Sequence, residues 1–176
     1  MKIVLVYLIK GPAKKYQNKL AKEVGPRFGE YHLIKNPIPA HITLKSPFEV
    51  ENIKGIEQLL RRLVKNQKKS IIKIKGFGNF RRFVAFFKTK FSLEAKKTQK
   101  QLIKELSKAG IKIQEFDINF KPHATIAYGN TKKTFNDIWG YLNKIKKPNF
   151  NLEFDNITIL KKPRKYWKIY KEFKIK

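Results

Sequence analysis

The chain has 176 residues, of which 41 % are hydrophobic and 13 % aromatic, enough for one folded unit, so wholesale disorder is excluded. It has no cysteine, which rules out disulfides, cysteine–zinc sites and a thiol nucleophile. With 41 Lys and Arg against 13 Asp and Glu, the net charge is +28, which favours a polyanionic partner, RNA first.

Lys2–Ile9 is a nearly continuous apolar run, expected as a central strand covered on both faces. The run is short and leads into Lys10 with no Ala-x-Ala-like site, so a strand is expected there rather than a secretory signal. Pro12 suits a helix start, and Ala13, Tyr16, Leu20 and Val24 form its stripe to about Gly25-Pro26. His32 falls in a loop or edge strand and is expected to be structural. Past Pro37 and Pro39 comes a strand, His41–Lys45. Ile53, Ile56, Leu59, Leu60, Leu63 and Val64 mark an amphipathic helix, and Ser70–Lys75 a strand.

The order then repeats. Phe83–Lys88 is a strand. Ser92 caps a helix to Gly110 with Leu102, Ile103, Leu106 and Ala109 inward. His123–Tyr128 is a strand, and Thr134 is expected to cap a helix with Phe135, Ile138, Trp139, Leu142 and Ile145 buried. Asn151–Leu160 reads as one strand, and Trp167–Ile175 as the last. The halves, roughly 1–80 and 81–176, keep similar intervals: 35 residues from Val6 to His41 and 36 from Phe87 to His123. His41 to Ile71 and His123 to Glu153 are both 30. A single domain with an α+β fold is expected, its two pseudo-symmetric lobes each an antiparallel sheet with helices packed outside and the active cleft between them.

The chemistry lies in Pro39-Ala-His41-Ile-Thr43-Leu and Pro122-His123-Ala-Thr125-Ile-Ala, two His-x-Thr copies 82 residues apart. Strand alternation puts His41 with Thr43, and His123 with Thr125, on one face about 7 Å apart. Two imidazoles can serve as general base and general acid, each transfer contributing about 10²–10⁴ in rate. The Thr hydroxyls can donate to phosphate oxygens as charge builds there. The layout is symmetric and leaves open which His is base. A zinc site lacks a third and fourth ligand, and no metal or cofactor is expected.

These motifs resemble those of the 2H phosphoesterase superfamily, in particular its 2′–5′ RNA ligase-like branch, over nearly the whole chain. The stretch His41-Ile-Thr-Leu-Lys-Ser-Pro-Phe48 is similar to the first motif and Pro122–Ala127 to the second. The resemblance implies metal-independent opening of RNA 2′,3′-cyclic phosphate ends to 2′-phosphates, with reversible 2′–5′ ligation in some members. It makes His41 and His123 the acid–base pair and Thr43 and Thr125 the phosphate binders. Members often carry an Arg near that point, which makes Arg81 or Arg82 a candidate to reach phosphate, a solvated surface pair being the alternative. Phe48 and Tyr128 are candidates for stacking on a base, and Lys45 and Lys121 for neutralising phosphate charge. Alternation places Lys45 on the face of His41 and Thr43.

The partners expected are RNA with 2′,3′-cyclic phosphate or 2′–5′-linked ends, or small cyclic nucleotides. A cytoplasmic, membrane-free monomer is expected. The alternative reading is a non-catalytic single-stranded RNA-binding module. Lysine is also scattered along the whole chain, as biased codon use would leave it.

Overall fold

Strand and helix patterning along this chain places two sheets around one apolar interior. The computed structural model describes residues 1–130 and 132–176. In chain order the elements are β1 (Lys2–Leu8), α1 (Gly11–Arg27), α2 (His32–Lys35), β2 (His41–Glu49), α3 (Ile53–Lys65), β3 (Ser70–Phe80) and β4 (Val84–Phe91). They continue as α4 (Leu93–Lys108), α5 (Glu115–Ile118), β5 (His123–Tyr128), α6 (Lys132–Lys144), β6 (Asn149–Phe154), β7 (Asn156–Lys161) and β8 (Lys168–Lys174). One sheet has the order β2-β1-β7-β8 and the other β5-β4-β3-β6, with antiparallel pairing throughout. The two-lobed α+β architecture is therefore as the sequence leads one to expect.

The helix starts expected at Pro12 and Ser92 are both present, and Asn52 adds a cap of its own. Pro12 opens α1. Asn52 caps α3 by accepting from the Lys54 N–H at 2.8 Å, and Ser92 caps α4 through the Ala95 N–H at 3.2 Å. Alternate residues of β1 (Ile3, Leu5, Tyr7) join Ile42 and Leu44, Ile72 and Ile74, Phe87 and the helix stripes in one continuous core. Tyr7 and Phe91 both pack on Phe154, which ties the two sheets together.

Some expectations give way. The stretch 151–160 is two strands, because the chain leaves one sheet and enters the other at Asp155. Asn156 secures the crossing: its Oδ1 accepts from the Leu8 N–H at 2.9 Å and its Nδ2 donates to the Leu8 carbonyl at 3.2 Å. The sheets consequently do not divide near residue 80. The first takes β1, β2, β7 and β8, and the second takes β3 to β6. Ile71 and Glu153, equated by the 30-residue spacing, are cross-strand partners in the second sheet. His32 sits in the one-turn helix α2 rather than a loop or strand, and Ala109 is exposed at the C-terminal end of α4. Thr134 lies within the first turn of α6, which starts at Lys132, so it is not the cap. No described helix is long and apolar enough to cross a membrane.

Candidate active site

The motif strands β2 and β5 are edge strands of their sheets and lie against each other. His41, Thr43, His123 and Thr125 line a single cleft of about 470 Å³. Thr43 and His123 also border a smaller cavity of about 200 Å³, walled by Phe80, Phe116 and Phe120. The four residues named by the two motifs are thus brought together.

Both histidines are held in the same way. His41 Nδ1 lies 2.7 Å from the Pro39 carbonyl, and His123 Nδ1 lies 2.8 Å from the Lys121 carbonyl. A carbonyl oxygen can only accept, so each Nδ1 carries the proton. Each Nε2 is then a free lone pair or, once protonated, a proton donor. Burial pulls the His41 pKa down to about 4, and the nearby charge of His123 pushes the same way. Burial lowers the His123 pKa as well, opposed by the hydrogen bond to Lys121. Both imidazoles are therefore mainly neutral at pH 7.

A bulge follows each motif at the same place. Val6 pairs with Thr43 but Leu5 pairs with Lys45, so Leu44 is an inserted residue. Phe86 pairs with Thr125 but Ala85 pairs with Ala127, so Ile126 is inserted likewise. Each bulge reverses the alternation of the residues after it. On β5 this returns Tyr128 to the cleft, where its hydroxyl hydrogen-bonds with Thr125 and its ring meets His32 at 4.7 Å.

On β2 the same slip sends Lys45 inward, opposite core-facing Leu5. Lys45 is 1 % exposed and pairs with Asp117 at 2.9 Å, so it is not on the cleft face that alternation gives it. Asp117 also accepts from the Ser46 N–H at 2.8 Å, the Ser46 hydroxyl at 3.1 Å and the Gln114 N–H at 2.9 Å. These donors and the Lys45 charge hold its pKa below the usual carboxylate range, against the opposing effect of burial. Phe48 packs on the main core beneath the Lys45 ammonium and does not line the cleft. Lys121 offers its carbonyl to His123 and borders the smaller cavity. Arg81 and Arg82 form the exposed β3–β4 turn with φ of 48° and 52°, outside the residues that line either cavity. That φ pair makes a type I′ turn, in which arginine is uncommon.

Several contributors escape a reading by motif. The Gln17 amide donates to the Thr125 carbonyl at 3.0 Å, which fixes β5 against α1. Phe80 and Phe86 flank the His123 ring, at 4.8 and 5.2 Å between centroids. Gly78 makes room for Phe86: a Cβ there would stand 2.5 Å from Phe86 Cε2. Leu33, Ile38 and Trp167 give the large cleft an apolar wall. The described residues contain no cluster of three or more His, Cys, Asp or Glu able to hold a metal ion.

The family model described as the 2′-5′ RNA ligase superfamily matches residues 19–165. A candidate phosphoesterase of Bacillus licheniformis is 27 % identical over 166 residues, covering 92 % of this chain and 93 % of that one. Among solved structures, TT0787 of Thermus thermophilus superposes with a TM-score of 0.67 at 15 % identity, covering 99 % of this chain and 98 % of that one. E. coli LigT complexed with NADP+ gives 0.62 at 14 % identity, covering 99 % and 97 %. At these identities the two structures establish the shared fold.

Proposed function

The chain belongs to the 2′-5′ RNA ligase superfamily, and on that footing we propose that it is a metal-independent RNA 2′,3′-cyclic phosphodiesterase that leaves a 2′-phosphate. The observation that carries this reading is the matched pair of imidazoles. Each has its Nδ1–H held by a carbonyl two residues back, and each shares the cleft with a Thr hydroxyl.

His41 stays neutral down to about pH 4 and is assigned as the base. His123 is the more open of the two and is assigned as the acid. The anionic cyclic phosphate, once between the rings, favours the imidazolium form and loads that proton. Water attacks phosphorus and gives its proton to His41 Nε2, so a new P–O bond forms. The P–O3′ bond breaks, and O3′ takes the proton from His123 Nε2. The products are a 2′-phosphate and a free 3′-hydroxyl, and a proton exchange with solvent resets the pair. Thr43 and Thr125 donate to the non-bridging oxygens. With a 5′-hydroxyl in place of water, the same groups in the same roles form a 2′–5′ linkage, and with the roles exchanged the 3′-hydroxyl attacks that linkage, the 5′-oxygen leaves with a proton from His41, and the cyclic phosphate is restored.

The apolar wall of Leu33, Ile38 and Trp167 suits the terminal base. E. coli LigT has been crystallised with NADP+, whose adenosine ribose carries a 2′-phosphate, the group this reaction produces. The test is to incubate the protein with an RNA ending in 2′,3′-cyclic phosphate, with and without EDTA, and map the new end. A 2′-phosphate formed equally in both is expected. A 3′-phosphate, or activity removed by EDTA, would overturn the assignment.

A further inference from the structure

The cleft has two unlike sides. The face of the first sheet that carries His41 and Thr43 is apolar, with Val4, Val6, Leu8 and Leu160 covered by Ile38 and Trp167. The face of the second sheet that carries His123 is open and basic. Lys88 stands directly opposite His123 on the adjacent strand. Further out the same face presents Lys90 on β4, Lys73 and Lys75 on β3, and Asn149 and Asn151 on β6, all exposed.

Two details separate this face from lysine scattered at random. Lys73 and Lys90 are direct cross-strand partners, and like charges so placed oppose folding. None of Lys73, Lys75, Lys88 and Lys90 forms an ion pair among the described residues. The carboxylate on the same face, Glu153, lies at its far edge and is paired with Lys69 at 3.6 Å. A sheet face that bears this repulsion without internal relief is complementary to a polyanion laid across it.

We infer that the open face of β3, β4 and β6 is a binding tract for the phosphate backbone of single-stranded RNA, which leaves the cleft past His123 and Lys88. The inference rests on the reading of the cleft as an RNA-end site, and it makes the substrate a polynucleotide end rather than a cyclic mononucleotide. The base of the terminal nucleotide meets the apolar wall while the preceding phosphates cross the lysines. Lys121, beside His123, borders the start of this path.

The test uses a fluorescein-labelled 12-nucleotide oligouridylate with a 3′-phosphate, which is bound but offers no cyclic phosphate to open. Its affinity is measured by anisotropy from 50 to 300 mM NaCl. A triple variant K73Q/K75Q/K90Q is expected to make the log–log salt slope shallower by about 2, because each lost phosphate contact removes about 0.7 on a single strand. The control K96Q/K100Q/K104Q, with the same charge change on exposed positions of α4, is expected to keep the wild-type slope. Equal slopes for the two triple variants would overturn the tract. So would a tract variant that loses binding to phosphatidylserine vesicles while keeping its RNA slope, since that would make the face a membrane contact. The probe needs no turnover, so a protein without cyclic phosphodiesterase activity but with the expected slopes would refute the proposed reaction and leave the tract standing.

Discussion

Gly78→Ala tests whether the packing around His123 matters for catalysis. The added Cβ would lie 2.5 Å from Phe86 Cε2, 2.9 Å from its Cζ and 2.9 Å from Lys88 Cγ. Ordinary contact begins near 3.4 Å, so the ring must move by about 0.9 Å. Phe86 is confined by Phe80 at 4.3 Å and His123 at 5.2 Å, so the displacement passes into the imidazole. A misplacement of roughly 1 Å in a catalytic group costs up to about 10²-fold, and overpacking of this kind costs about 1–3 kcal/mol of stability. The expected outcome is a kcat on an RNA 2′,3′-cyclic phosphate end lowered by about ten- to a hundredfold with KM little changed. Urea unfolding of the same protein should show the stability loss. Phe86→Leu in the Gly78→Ala background should recover much of kcat, since the smaller side chain relieves the clash. A kcat within twofold of wild type in Gly78→Ala would refute the reasoning, because the ring would then have an escape that spares His123.

Further outcomes follow from the titrating groups and the buried pair. The fraction of free enzyme that reacts productively is the one with His41 neutral and His123 protonated. The kcat/KM profile should therefore be a bell with its acid limb near pH 4 and its alkaline limb below the ordinary imidazole value of 6.5. Both limbs of kcat should move up in pH, because bound phosphate favours the imidazolium form. For stability the sign is fixed: between pH 6.5 and about 4 the unfolded chain has His41 protonated while the folded chain does not. Stability thus falls as pH drops through that window, and His41→Gln should flatten the curve measured by urea unfolding there. Asp117→Asn should destabilise by about 3–5 kcal/mol, because it leaves the Lys45 ammonium buried without its counter-charge. Lys45→Met should cost less, since Asp117 keeps the donors of Ser46 and Gln114. Urea unfolding that ranks the two variants the other way would count against this account of the pair.

The sequence revealed most where chemistry and local pattern coincide. His41 with Thr43, and His123 with Thr125, share a face because alternation holds over those three residues of each strand, and the strand β5 has the predicted limits. What was not legible depends on contacts between distant segments. The inserted Leu44 and Ile126 have no turn residue to announce them, yet they decide that Lys45 goes into the core and Tyr128 into the cleft. A Lys two positions after a cleft-facing Thr looks like a phosphate ligand until Asp117, 72 residues away, is placed beside it. The change of sheet at Asp155 is hidden for the same reason: Asn149–Phe154 and Asn156–Lys161 are both good strand sequences, and their different partners are non-local. His32 carried no motif, and its place against Tyr128 comes from the packing of α2.

The most direct measurement is kcat/KM on an RNA 2′,3′-cyclic phosphate end for His41→Ala, His123→Ala and the double variant. Paired acid–base catalysis predicts a loss of at least about 10² for each single change, with the double variant falling little further because the two groups act as one unit. Activity within tenfold of wild type in either single variant would contradict the assignment of that imidazole and, with it, the paired mechanism.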